Sequence, residues 1–222
     1  PGWLAALLEA LGPAEVAAAA SKLVLPDGRI NSAGGVVSPA GYGHDRGFGQ
    51  PDDVRYDTPA EIMDGCGAAL ALETAAVLEG GVIDLRFGLY YEDVDLSWQL
   101  GLAGYSVRYV PGAVVVHQHS ASTGAGSLLH TYYTERNRLA TLTVCASAGL
   151  ALRAVARYPL TTVSVALFES PAKARRRVLA YLSYLGWLPA LLRRRHSFPR
   201  RVARRDIEQR FLTPDTGDRS VS

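Results

Sequence analysis

Three carboxylates fall within four residues in Tyr91-Glu92-Asp93-Val94-Asp95-Leu96, and two histidines, His117 and His119, close the apolar run that follows. Carboxylates in the first turn of a helix are stabilised by its macrodipole, each by about 0.3–1 kcal/mol. One capping residue would suffice for that. Three together repel and raise one another's pKa, and burying any of them without a cation costs several kcal/mol. The cluster therefore makes sense either fully solvated or arranged around a cation or a proton-bearing substrate, and the adjoining Tyr90 and Tyr91 argue against full solvation. Alternate residues of a strand share a face, so His117 and His119 fit a His-x-His metal pair. They fit equally well two strand-end histidines with satisfied hydrogen bonds. No third nitrogen or thiolate ligand stands nearby in sequence. A hard divalent ion shared with phosphate oxygens suits the carboxylate-rich surroundings better than a structural zinc site.

The elements that must position these groups alternate. Residues 3–11, WLAALLEAL, have helical spacing, and VAAAASKLVL fits either a helix or a strand ahead of the Pro26-Asp27-Gly28 turn. Residues 32–59 form a long stretch rich in Gly, Pro and Asp. Its Tyr42, His44, Phe48 and Tyr56 favour a binding loop over an inert linker. AEIMDGCGAALAL, over 60–72, reads as one buried strand interrupted at Gly65 and Gly67, where backbone approaches something closely. A short helix over 73–79 ends at Gly80-Gly81. A helix then starts near Asp93 and stops at Gly104, strands follow around 105–110 and 113–117, and the pattern is helical from 127 to about 192. Helices alternating with strands define an α/β layered domain.

At 222 residues and 48% apolar composition the chain can bury a substantial core, which excludes a disordered protein. Its two cysteines, Cys66 and Cys145, make no disulfide framework and fit a reducing, cytoplasmic setting. The net charge of +2 conceals an asymmetry: residues 1–150 carry 8 Lys/Arg against 16 Asp/Glu, and residues 151–222 carry 15 against 5. An acidic body precedes a basic tail. The longest uncharged stretches there, Leu139 to Leu152 and Val178 to Leu192, are 14 and 15 residues, short of the roughly 20 that span a bilayer. Val178, Leu182, Leu185, Leu188 and Leu192 share a helical face, with Tyr181, Tyr184 and Trp187 beside them and arginines at both ends. This fits a helix lying on an anionic membrane surface. An ordinary packing helix with solvated arginines is the alternative. Nucleic acid is not expected as a partner, because no reader motif accompanies the charge.

Taken in order, Tyr91 to Leu96, Gly104-Tyr105, Pro111-Gly112-Ala113, His117, Tyr132-Tyr133 and Arg136-Asn137-Arg138-Leu139 resemble the C-terminal half of a family 2 inverting glycosyltransferase. The bacterial rhamnosyltransferase and galactofuranosyltransferase type is the nearest flavour. The resemblance runs from Pro1-Gly2-Trp3 to about Leu139. It implies the C-terminal half of a GT-A, Rossmann-like nucleotide-sugar transferase fold over 1–126, while the charge and apolar spacing of the remainder point to a helical, basic, membrane-associating region over 127–210 and a disordered tail over 211–222. It also implies a nucleotide-sugar donor, a glycan or lipid-linked acceptor, a divalent Mg or Mn ion, and a place at the inner face of the cell membrane.

The resemblance assigns Asp93, with Glu92 beside it, as the catalytic base and His117, rather than His119, as a metal ligand. Asp95 is left to support the helix start. Gly65, Gly67, Tyr91, Arg136 and Asn137 would border substrate, although Arg136-Asn137 reads equally as a helical surface pair. Two departures stand out. The family's donor-binding half, with its Asp-x-Asp motif, would precede Pro1, so the fragment is expected to be inactive alone. Gln99 stands where the family commonly has arginine. From a different class, a non-catalytic membrane or partner-binding module remains open, with the acids only capping a helix. A glycoside hydrolase is less apt, because its two carboxylates come from separated elements.

Overall fold

The computed structural model describes residues 2–118, 126–197 and 199–212. His119 lies outside the described residues, as does the expected tail from residue 213 onward. The chain is mixed α/β and divides into two compact units. One comprises residues up to 83, 93–118 and 199–212; the other comprises 84–92 and 126–197.

The first unit holds α1 (Trp3–Ala10), β1 (Val16–Val24), β2 (Ile30–Ser32), β3 (Gly35–Val37), β4 (Gly43–Asp45), β5 (Ala60–Ile62), β6 (Leu70–Leu72) and α2 (Thr74–Gly80). It continues with α3 (Glu92–Leu102), apart from that helix's first residue, and β7 (Ser106–Val116). Central β1 pairs in parallel with β7 and antiparallel with β2 and β6, while β5 runs antiparallel to the far side of β7. β3 and β4 make a separate two-stranded ribbon.

The alanine run that could have been helical is the central strand, buried along its whole length. Ala18 and Ala20 face one apolar cluster with Ile30, Ile62 and Tyr109. Ala17 and Ala19 face the helices, against Leu96 and Leu100 of α3 and Leu7 of α1. Small side chains allow both layers to approach, and burial on both faces outweighs the helix preference of Ala.

The expected single strand over 60–72 is two. β5 joins β7 and β6 joins β1, because the chain changes partner at Gly65, where a Cβ would sit 2.6 Å from the side chains of Ala20 and Leu70. The two strands expected around Pro111-Gly112 are instead one. Ser21 pairs with Val110 and Lys22 with Val114, so the intervening residues bulge out of the ladder.

The second unit is built on α4 (Leu128–Cys145), α5 (Ala148–Phe168) and α6 (Pro171–Ser197). Ser127 caps α4 and Ser147 caps α5, each through its hydroxyl oxygen. Arg195 donates to the backbone oxygens of Thr143 and Ala146 at 2.6 and 2.7 Å, satisfying carbonyls at the end of α4. After α6 the chain returns to the first unit as α7 (Arg204–Phe211).

Candidate functional site

Asp93 stands in the first turn of α3 with its carboxylate fixed by two backbone donors. The Gly67 N–H donates to Oδ2 at 3.0 Å and the Val94 N–H to Oδ1 at 2.8 Å. Gly67 opens the short 3-10 turn between the two halves of the 60–72 segment, so the glycine-broken stretch serves to orient this acid. Burial raises the Asp93 pKa, and the two N–H bonds hold the rise back.

Two further acids share its field, and sequence reasoning missed both. Asp45 ends β4, and burial is the main cause of its pKa being raised to about 6; the charge of Asp93 adds to the rise and that of His117 opposes it. Asp64 follows β5 and is raised well above the usual carboxylate range, first by burial and then by the charges of Asp93 and Asp45. Only 7% of Asp64 is exposed, and its Oδ1 has no hydrogen-bond partner among the described residues. Its carboxyl lies where a Cβ on Gly35 would be, 2.0–2.3 Å from that position, so residue 35 must be glycine. Cys66 stands beside the three acids; burial, helped by Asp45, pushes its thiol up to about 12, which removes it as a nucleophile at neutral pH.

His117 follows β7, its N–H bonded to the Val24 carbonyl at 2.8 Å. Its Nδ1 lies 2.6 Å from Asn31 Oδ1. An amide oxygen only accepts, so Nδ1 carries a proton, which leaves Nε2 as the ring nitrogen that binds a metal or accepts a proton when the ring is neutral. His117 also acts electrostatically on Asp45, which places it with the acids. As to the implied divalent ion, no three or more His, Cys, Asp or Glu side chains among the described residues converge as a metal centre requires. The residues present do not by themselves complete a cation site.

The rest of the acidic motif divides. Glu92 is exposed at the start of α3. Asp95, expected to support the helix start, stands in the first turn of α3 but is 1% exposed, and Gln99 Nε2 donates to its Oδ2 at 2.6 Å. Gln99 also exchanges bonds with both backbone groups of Val82, at 3.0 and 3.2 Å. The side chain that departs from the family pattern is a buried tie.

In the second unit, Tyr90 and Tyr91 have φ of 63° and 72°, left-handed backbone that costs about 1–2 kcal/mol per residue outside glycine. Asn137 holds the segment. Its Nδ2 contacts the carbonyls of Phe87, Leu89 and Tyr90 at 2.8–3.0 Å, three acceptors for two hydrogens. Arg136 donates to the carbonyls of Arg86 and Phe87 and to Asn137 Oδ1. Asn137 is fully buried, so this is no surface pair. Arg136 and Asn137 thus fix the backbone of residues 86–90 within their own unit, and the Tyr91 side chain is itself buried.

This arrangement, an oriented carboxylate among raised-pKa acids with an imidazole in their field, is equipped to take protons. Over 64 residues, 29% of this chain, the sequence is 41% identical to the N-acetylglucosaminyl-diphospho-decaprenol L-rhamnosyltransferase of two Mycobacterium tuberculosis strains, covering 21% of that protein. It is also 28% identical over 130 residues to an uncharacterized Sinorhizobium fredii protein, y4gI, over 56% of this chain and 14% of that one. The chain thus spans about a fifth or less of the length of these relatives. No family model matches. The likeness is to a glycosyltransferase, over a limited part of the chain.

Proposed function

We propose that this chain is the acceptor-side, base-bearing part of an inverting family 2 glycosyltransferase. It would move a sugar from a nucleotide-sugar donor to a glycan or lipid-linked acceptor in cell-envelope or exopolysaccharide synthesis. The observation that carries the proposal is the Asp93 carboxylate, oriented by the Gly67 N–H and raised by burial at the start of α3. An acceptor hydroxyl has a pKa far above 7, so a carboxylate within hydrogen-bond reach takes its proton as the oxygen attacks the anomeric carbon. The nucleotide diphosphate leaves from the opposite face, and the centre inverts. Raised basicity in Asp93 suits that role. His117 is the proposed donor to a Mg or Mn ion, one nitrogen of a set that the described residues do not complete.

The second unit supports peripheral attachment to the inner face of the cell membrane. No described helix is long and apolar enough to cross a membrane. Leu160, Leu167 and Phe168 of α5 and Val178, Leu182 and Leu185 of α6 are nevertheless exposed, while Tyr184 and Trp187 turn inward. Exposed leucines interspersed with arginines fit the headgroup region of an anionic leaflet.

The test is Asp93→Asn in a protein carrying the donor-binding half as well, with transfer measured from nucleotide sugar to acceptor. A fall of about 10²–10⁴-fold in kcat with the fold unchanged is expected for loss of a general base. Full activity in that variant overturns the proposal.

A further inference from the structure

Residues 199–212, which belong to the first unit, tie to every element that carries or flanks one of its three buried acids. Asp93 heads α3, and the far end of that helix accepts from this stretch: the N–H groups of Arg201 and Val202 both donate to the Leu102 carbonyl, at 2.9 and 3.0 Å. Ile207 of α7 lies over Gly101 of the same helix, where an added Cβ would stand 3.5 Å from its Cδ1. Asp64 follows β5, and Arg210 pairs with Glu61 of that strand at 2.6 Å. Asp45 ends β4, whose partner β3 is bridged in parallel from Val37 to Leu212.

The link to β3 reaches two acids at once. Gly35 stands opposite Asp45 in the β3–β4 ribbon and forms an antiparallel bridge to Asp64, its N–H donating to the Asp64 carbonyl at 2.7 Å. A ribbon of two three-residue strands has little stability of its own and depends on what flanks it. Leu212 supports β3 at one end, and the acids meet at the other.

The hold is light. Of residues 199–212 only Ile207 is buried. A cavity of about 370 Å3 lies between α7, α3 and the sheet, so α7 does not pack flush against them. The ion pairs of Arg210 with Glu61 and of Arg201 with Glu79 are exposed, with 60% and 66% of the arginine side chains accessible. Such pairs contribute little and are screened by salt. Segments with few buried apolar contacts open without global unfolding.

We propose that residues 199–212 are a releasable strap that positions the acid site. Docked, the strap holds the β3–β4 ribbon and the end of β5 against α3 and so sets the arrangement of Asp45, Asp64 and Asp93. Released, it lets the ribbon slacken while the β1–β7 core stays intact. The inference rests on the strap's own contacts and does not depend on the transferase reading.

The test is amide hydrogen exchange, read by NMR on the full chain. Ile207→Asp places a charge in the strap's one buried contact. It should speed exchange about tenfold at Gly35 and Arg46, whose N–H groups bond the carbonyls of Asp64 and Gly34, and leave the amides of the β1–β7 ladder at wild-type rates. Arg210→Glu, an exposed change that sets like charges together at Glu61, should give a smaller rise at the same two amides. Ile207→Leu, which keeps an apolar side chain over Gly101, should stay near the wild type. The proposal is overturned if neither Ile207→Asp nor Arg210→Glu speeds exchange at Gly35 and Arg46, if in both variants the ladder amides accelerate as much as those two, or if Ile207→Leu loosens the ribbon as far as Ile207→Asp.

Discussion

Each unit buries carboxylate, and the two do it in opposite ways. In the second unit Glu135, with its side chain 7% exposed, is held between Arg138, at 3.1 Å, and Arg177. Arg177 is further tied to the hydroxyls of Thr161 and Thr162 at 2.8 and 3.2 Å. In the first unit Asp45, Asp64 and Asp93 are gathered with one another, and each is pushed up by burial. A paired buried charge is a structural device, because removing one partner strands the other. Buried acids that share a field with their own kind weaken the fold, and such groups cluster at functional sites.

The largest expected effect breaks the paired side. Glu135→Ala leaves two guanidiniums buried without their carboxylate and should cost about 3–5 kcal/mol in denaturant unfolding. A loss below about 1 kcal/mol would mean that the pair is solvated in practice and would erase the contrast.

Next comes the unpaired side, where the sign reverses. Between about pH 4 and pH 6 native Asp45 keeps a proton that the unfolded chain has released. The wild type therefore loses stability as pH rises through that window, by up to about 3 kcal/mol. Asp45→Asn removes this slope: the variant should match the wild type below pH 4 and exceed it above pH 6. Urea unfolding of both proteins at several pH values measures the difference. A variant less stable at pH 7 would place Asp45 with Glu135 as a structural acid.

Several element boundaries of the first unit but only part of its acid cluster were legible in the sequence. The α3 start at Asp93, the stop at Gly104 and the glycine break at 65–67 are local signals, and each stands where spacing put it. Asp45 ends β4 and Asp64 follows β5, both far from Asp93 in the chain, and nothing in either local pattern announces that they converge on α3. The one cue was negative, a 32–59 segment too long and too rich in Gly and Asp to be a plain connection. Asn137 misled for the opposite reason. A polar residue on a helix reads as surface until the fold brings carbonyls from residues 87–90 against it, whereas the Asp95–Gln99 pair at i,i+4 was a readable signal of a buried tie.

A smaller effect tests whether the clamp in the second unit serves the acids of the first. Asn137→Ala removes the buried donor to the carbonyls of Phe87, Leu89 and Tyr90, with an expected loss of about 1–3 kcal/mol. Global unfolding measures the loss, and transfer activity should fall in parallel as the 87–90 loop loosens ahead of Asp93. Destabilisation with activity intact would confine Asn137 to holding its own unit together.

The smallest change in stability is expected from Tyr90→Gly. Glycine adopts the φ of 63° freely, which gains about 1 kcal/mol, while the edge-on contact between the Tyr90 and His130 rings, 4.8 Å between centroids, is lost at a similar cost. The two terms nearly cancel, so Tm should scarcely move. Activity separates what stability cannot. If the left-handed tyrosines hold the acidic motif in register, freeing the backbone two residues before Glu92 should lower kcat and leave acceptor KM unchanged, because orientation of the base is lost and binding is not. A variant with wild-type kcat would show the strain at Tyr90 to be a by-product of the loop's packing, and Asp93 would then owe its orientation to Gly67 and Val94 alone.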